Sequence, residues 1–208
     1  MARAARVNVL VGGPYWFGRI AEHYAAAYRG LGHEVRLSYT NRGEGSAGWL
    51  ADTLARTGLG GIASISARLR GESANRTFRD ALLRFRPDRV FLVHSRGFLL
   101  EPQALVMARA RAPVAMFFND DPERLAVSPE LLDVPSLLLT HEPALVESLR
   151  AGGRRRAEYL PFAADPDIFR PVEVDEVDRR AFDCDVGFVG TAYAGEPAGL
   201  RRAELLEA

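Results

Sequence analysis

Residues 160–171 read Leu-Pro-Phe-Ala-Ala-Asp-Pro-Asp-Ile-Phe-Arg-Pro, and this stretch divides the chain in two. Each of its three prolines fixes its own φ at about −65° and keeps the preceding residue out of the helical region. The stretch is therefore predicted to be a stiff, extended connector. After it, an apolar strand is predicted at residues 185–189 and a helix at residues 200–208. This pattern predicts a first domain over residues 1–171 and, over residues 172–208, a linker and the truncated start of a second.

Short apolar runs alternate with amphipathic stretches throughout the predicted first domain. Strands are expected at residues 7–11, 35–39, 90–93, 114–118, 137–139 and 158–160. Helices are expected at residues 17–31, 49–57, 75–85, 102–110, 129–132 and 143–151, with Gly58–Gly61 as a break, Ser128 as an N-cap and Gly32 as a C-cap. Strands that alternate with helices predict an α/β fold, a Rossmann-like parallel sheet with helices on both faces.

The composition excludes several kinds of chemistry. The 27 basic residues balance the 27 acidic ones, and every basic residue is an arginine. Without lysine there is no Schiff-base nucleophile and no phosphate-binding lysine of the Walker type. The single cysteine, Cys184, allows neither an internal disulfide nor a thiolate zinc cluster. A net charge of zero gives no electrostatic reason to expect nucleic acid as a partner.

The apolar runs are short. None approaches the roughly 18–20 residues that a membrane-spanning helix requires, and the N-terminus lacks the apolar length of a signal peptide. The sequence therefore predicts a cytoplasmic protein without a membrane span.

The connector resembles the junction between the two domains of GT-B glycosyltransferases. With Phe188-Val189-Gly190 in the strand that follows, it is most similar to the CgeB-like (spore maturation) family. The resemblance implies that the first domain is the acceptor side of a GT-B enzyme and that residues 172–208 begin its C-terminal domain. It implies metal-independent transfer of a sugar from a nucleoside-diphosphate-sugar donor to an unknown acceptor hydroxyl, without a cofactor. Because the second domain is incomplete, we expect this chain to be inactive alone.

Ligands of an open parallel sheet bind beyond the carboxyl ends of its strands, so the loops there hold the candidate residues. Gly12 and Gly13, with Tyr15 close by, are predicted to form a loop whose backbone N–H groups approach a ligand. The alternative is a tight strand-to-helix turn. The loop is no dinucleotide fingerprint, and the second strand ends without a ribose-binding acid, which disfavours nicotinamide and flavin enzymes.

The catalytic candidates follow the third and fourth predicted strands. His94, preceded by Pro87-Asp88, is similar to the Pro-Asp…His element of family-4-type glycosyltransferases, and could bind or position a hydroxyl. Asn119, Asp120 and Asp121 belong to a Phe-Asn-Asp-Asp-Pro run similar to one in the CgeB-like group. Their oxygens could accept hydrogen bonds from sugar hydroxyls, and one carboxylate could act as a base. The alternatives are a surface histidine and aspartates that cap a helix.

Three further residues are substrate-binding candidates. His141 lies between Thr140 and Glu142 after the fifth strand, where helix capping is the alternative role. Gly190 and Thr191 match a position at which GT-B backbone meets the donor phosphates. The Asp-x-Asp sequences at 165–167 and 183–185 are interpreted as incidental, so no metal is expected. Two other functions stay open: a sugar-nucleotide 2-epimerase, and a non-catalytic module that binds a glycan or a protein.

Overall fold

The computed structural model describes residues 5–15, 20–42, 60–95, 97–120, 122–123, 127–154, 156–164, 166, 170–171 and 173–182. The chain divides into two units, Met1–Asp165 and Pro166–Ala208. The elements of the first unit are β1 (Asn8–Gly13), α1 (Ile20–Gly30), β2 (Glu34–Tyr39), α2 (Gly60–Phe85), β3 (Arg89–His94), α3 (Pro102–Arg109), β4 (Val114–Phe118), α4 (Pro129–Asp133), β5 (Leu137–Thr140), α5 (Pro143–Ala151) and β6 (Ala157–Tyr159). In the second unit, α6 spans Glu176–Phe182.

The six strands form one parallel sheet in the order β2-β1-β3-β4-β5-β6. The predicted α/β class, a Rossmann-like parallel sheet, is therefore confirmed. The order of strands along the chain reverses at β1, so the switch point of the sheet lies between β1 and β3.

Helices cover both faces of the sheet. Crossovers between parallel strands are right-handed, so a crossover that runs the opposite way across the sheet places its helix on the opposite face. One face packs against α1 through Val9, Val11 and Phe117. The other packs against α2, α3, α4 and α5 through Leu10, Leu92 and Phe118. Phe117 and Phe118 are both fully buried, and as neighbours in β4 they point to opposite faces.

The sequence signals that predicted the end of α1 and the start of α4 are confirmed. Gly32 has φ of +88° and its N–H donates to Arg29 O, while the His33 N–H donates to Tyr28 O at 3.1 Å. This pair of bonds is the Schellman motif, so the predicted C-cap is confirmed. The Ser128 hydroxyl accepts a hydrogen bond from the Leu131 N–H and caps α4 as predicted.

Two predictions about helices were wrong. The predicted break at Gly58–Gly61 is contradicted at Gly60 and Gly61, which are helical, and α2 begins 15 residues before the predicted start at residue 75. Extending a helix that is already nucleated and packed through Phe78 and Leu82 is easier than starting one, which offsets the cost of glycine. The helix α6 was not predicted, because charged pairs such as Arg180–Glu176 line it instead of an apolar stripe.

Several predicted elements lie outside the described residues, namely the helix at 49–57, the strand at 185–189 and the helix at 200–208. The domain assignment over residues 1–171 and 172–208 therefore stays a prediction. Among the described residues, no helix is both long and apolar enough to cross a membrane.

Candidate functional site

The carboxyl edge of the sheet, where the six strands end, brings together most of the described candidate residues. At the switch point, β1 ends in Gly12 and Gly13 rather than in a loop, so the predicted loop is wrong at these two positions. Both glycines pair with β2, Gly12 with Ser38 and Gly13 with Tyr39. The run of apolar residues stops at Val11, so the sequence pattern predicted a strand that ends two residues before the observed end of β1.

Packing explains why glycine occupies both positions. A Cβ atom on Gly12 would lie 2.7 Å from Leu92 Cδ2, and one on Gly13 would lie 2.7 Å from Ala21 Cβ and 3.2 Å from Val93 Cβ. Neighbouring side chains thus fill the space that a side chain here would need. The absence of a Cβ allows α1 and β3 to approach β1 closely.

His94 is the last residue of β3 and is 6% exposed. Its imidazole stacks against Phe98 at 4.4 Å and Phe118 at 5.2 Å between ring centroids. Burial lowers the pKa of His94 from 6.5 to about 4, so the ring is neutral at physiological pH. Its Nδ1 atom is buried and has no hydrogen-bond partner among the described residues. The ring can therefore form a hydrogen bond with a ligand atom.

Asn119 lies directly after β4 and next to His94. Its backbone N–H donates to His94 O at 3.3 Å, and its side-chain Oδ1 is buried without a partner in the described part of the chain. Asp120 is exposed. Asp121 lies outside the described residues, as do Gly190 and Thr191. The structure therefore brings His94 and Asn119 together through their backbones.

His141 lies on the other side of the sheet. Its ring stacks on Phe162 at 4.2 Å and lies 6.5 Å from Phe117, whereas His94 contacts Phe118. Since Phe117 and Phe118 point to opposite faces, the two histidines do not share one pocket. His141 Nε2 lies 3.7 Å from Glu142 Oε1, an ion pair only when the imidazole is protonated.

Thr140 does not cap α5, so the capping alternative is wrong for this turn. Its hydroxyl accepts a hydrogen bond from the Glu142 N–H at 3.2 Å, within the turn that precedes α5. The N-cap position of α5 is Glu142, whose side chain makes no capping hydrogen bond.

Tyr15 belongs to a cluster whose other members were not identified from the sequence. Asn41 accepts a hydrogen bond from the Tyr15 N–H at 2.7 Å and donates to Tyr15 O at 3.2 Å. The Tyr15 and Tyr39 rings meet edge to face with centroids 5.1 Å apart, and the Arg42 guanidinium lies 4.5 Å from the Tyr15 centroid. The available signal was the Asn41-Arg42 pair, which begins two positions after the last residue of β2.

Asn75 is a second residue that sequence reasoning missed. Its amide donates to Gly71 O at 2.8 Å and Leu99 O at 3.0 Å, and accepts from the Glu101 N–H at 3.0 Å. These bonds hold the segment that carries Phe98 against His94. A buried asparagine in a helix pattern gave no reason to expect this contact.

A surface cavity of about 350 Å³ lies at the opposite, amino edge of the sheet. Its lining includes Arg109, Ser136, Arg154 and Arg156, and Asp133, whose Oδ1 lies 3.2 Å from Arg154 Nε. None of the predicted site residues lines it. Among the residues that the structure describes, no three His, Cys, Asp or Glu side chains form a group that could hold a metal ion.

Nine chains among the solved structures match this chain. The chain is similar to the glycosyltransferase SnogD from Streptomyces nogalater, at 19% sequence identity and a TM-score of 0.40. The similarity covers 81% of this chain and 58% of SnogD, so the chain spans less than two thirds of that protein's length. No family model and no curated protein matches the sequence.

Proposed function

We propose that the chain is the acceptor-side, N-terminal half of a GT-B glycosyltransferase similar to the CgeB-like family. The reaction transfers a sugar from a nucleoside-diphosphate-sugar to an acceptor hydroxyl. The observation that carries the proposal is the pair of hydrogen-bonding groups at the carboxyl edge next to the switch point. His94 offers a neutral ring nitrogen and Asn119 an amide oxygen, both buried and without partners among the described residues.

Uncharged hydrogen-bonding groups of this kind suit a hydroxyl. A phosphate would need donors or positive charge, whereas a hydroxyl donates to a lone pair on nitrogen or oxygen. With its pKa at about 4, His94 is a weak base, which favours a role in positioning the hydroxyl over removing its proton. The resemblance of the 160–171 connector to GT-B junctions supports the same function independently.

In the proposed reaction, the acceptor oxygen forms a bond to C1 of the donor sugar. The C1–oxygen bond to the diphosphate breaks, and its electron pair leaves with the diphosphate. The acceptor proton passes to the carboxylate of Asp120 or Asp121, the latter outside the described residues. His94 and Asn119 accept hydrogen bonds from neighbouring hydroxyls of the acceptor and so position the reacting oxygen, and the C-terminal domain binds the donor without a metal or cofactor. Gly190 and Thr191 stay proposed donor contacts, and His141 stays a proposed substrate contact on the other face.

The test uses the complete reading frame that contains this chain, incubated with a panel of nucleotide sugars and candidate acceptors in deuterated water. Mass spectrometry of a glycosylated acceptor is the expected result. Deuterium at C2 of the sugar without transfer would indicate a 2-epimerase instead. Binding of a glycan or a protein without turnover of any nucleotide sugar would indicate a non-catalytic module. The 208-residue chain alone is expected to show no steady transfer.

A further inference from the structure

The cluster of Tyr15, Tyr39 and Arg42 has the features of a preformed binding site. It does not include His94 or Asn119. Tyr39 is the last residue of β2, and Tyr15 follows the last residue of β1 by two positions. The cluster therefore lies at the carboxyl edge, beside the switch point, where ligands of open parallel sheets bind.

Arg42 contributes a positive charge and has no acidic partner among the residues that the structure describes. Its guanidinium carbon lies 4.5 Å from the Tyr15 ring centroid and 5.4 Å from that of Tyr39. A guanidinium that contacts aromatic rings keeps its N–H groups in its own plane, available for two parallel hydrogen bonds. The structure records no ion pair of Arg42 with any described carboxylate, although Arg42 is exposed.

The surroundings hold both rings in place. The two hydrogen bonds from Asn41 fix the backbone of Tyr15. The Tyr39 hydroxyl donates to Glu22 Oε1 at 2.7 Å, which anchors the second ring to α1. A ligand would therefore find the rings already ordered, which reduces the entropy lost on binding. Tyr15 is 40% exposed, so a face or edge of its ring is accessible.

The local charges favour an anion. Among the described residues, the Glu22 carboxylate contacts the cluster through the Tyr39 hydroxyl and is half-buried, whereas the Arg42 guanidinium is exposed. Burial and the hydrogen bond to Glu22 raise the pKa of Tyr39 to about 12, so its phenol brings no negative charge near neutral pH.

We propose that Arg42, held by Tyr15 and Tyr39, binds an anionic group of the acceptor, a carboxylate or a phosphate ester. That the anionic group belongs to the acceptor rests on the proposed function, whereas the anion site itself does not. Tyr39 pairs with Gly13 in β1, and β1 pairs in turn with β3. Two strand spacings separate this position from β3, so the anionic group would lie about 10 Å from the hydroxyl at His94.

The test is a titration of the purified chain with glucose 6-phosphate, glucuronate and glucose, followed by NMR of the arginine Nε–Hε groups. We expect at least one of the two anions to shift the Arg42 signal at lower concentration than glucose, and the tighter anion identifies the group. Because charge-assisted hydrogen bonds are lost, Arg42→Gln should weaken that binding about tenfold or more. The matched control is Arg36→Gln, which removes the same charge from an exposed position of β2 and should leave binding unchanged.

Two variants of Tyr15 test the role of the ring. Tyr15→Phe keeps the ring and should bind as the wild type does, whereas Tyr15→Leu should weaken binding several-fold. Equal affinity for the anions and glucose, or equal effects of Arg42→Gln and Arg36→Gln, would overturn the inference. Arg42-dependent anion binding without any glycosyl transfer by the complete reading frame would leave the anion site standing and reject the proposed function. Glycosyl transfer without Arg42-dependent anion binding would reject the anion site and leave the proposed function standing.

Discussion

Replacing Gly13 by alanine tests whether packing or ligand binding explains the glycines at the end of β1. The added Cβ would lie 2.7 Å from Ala21 Cβ and 3.2 Å from Val93 Cβ. Both contacting atoms are fixed by their backbones, so no side-chain rotation relieves the clash. Overpacking of this kind costs about 1–3 kcal/mol, and we expect Gly13→Ala at the upper end of that range.

Two other glycines provide graded comparisons. At Gly12 the closest contact is Leu92 Cδ2 at 2.7 Å, the end of a side chain that can rotate, so Gly12→Ala should cost less than Gly13→Ala. Gly71 lies within α2 with nothing within 4 Å of an added Cβ, so Gly71→Ala should stabilise the protein by about 0.5–1 kcal/mol.

Urea denaturation followed by circular dichroism measures these differences. For a slope of about 2 kcal/mol per molar urea, a loss of about 2 kcal/mol lowers the midpoint by about 1 M. The packing explanation fails if the midpoint of Gly13→Ala stays within about 0.2 M of the wild type. In that case close approach of a ligand, and not packing, would explain the glycine at this position.

Two further variants concern the surroundings of His94. Since the folded pKa of about 4 lies below the unfolded value of 6.5, the unfolded chain binds more protons between these values, and acid destabilises the fold. Between pH 8 and pH 5 the free energy of unfolding, measured by urea denaturation, should therefore fall by about 2 kcal/mol more in the wild type than in His94→Leu. Identical pH profiles of the two proteins would contradict the buried, neutral imidazole. Asn75→Ala should lower the free energy of unfolding by about 2–4 kcal/mol because it removes three hydrogen bonds. Arg76→Ala, at the exposed neighbouring position, should change it by less than about 0.5 kcal/mol. Similar losses for both variants would disprove the role of Asn75 in holding the segment that carries Phe98.

Much of the fold could be predicted because local signals and tertiary structure agree. The strand β4 and the helix α5 have the bounds that the sequence predicted. Both are bordered by residues with strong backbone preferences, such as Pro113 and Gly152. The start of α2 could not be predicted, because glycines weaken a helix locally while contacts from distant strands stabilise it.

The candidate site was predictable only in part. His94 and Asn119 could be placed at one edge of the sheet because both follow buried strands of a parallel fold. His94 Nδ1 has no partner among the described residues, and its ring packs against Phe98 and Phe118, which sequence spacing does not reveal. The Tyr15 cluster depends on the pairing of β1 with β2 and on two hydrogen bonds from Asn41, so it became visible only in three dimensions.

The central claim is that the carboxyl edge at His94 holds the hydroxyl that receives the sugar. The most direct measurement is the rate of nucleoside-diphosphate release by the complete reading frame, for the wild type and for His94→Ala, with Arg36→Gln as a control. Because the acceptor hydroxyl loses a positioning group, we predict a decrease of about a hundredfold for His94→Ala with folding retained, and no change for Arg36→Gln. An unchanged rate in a folded His94→Ala protein would contradict the claim.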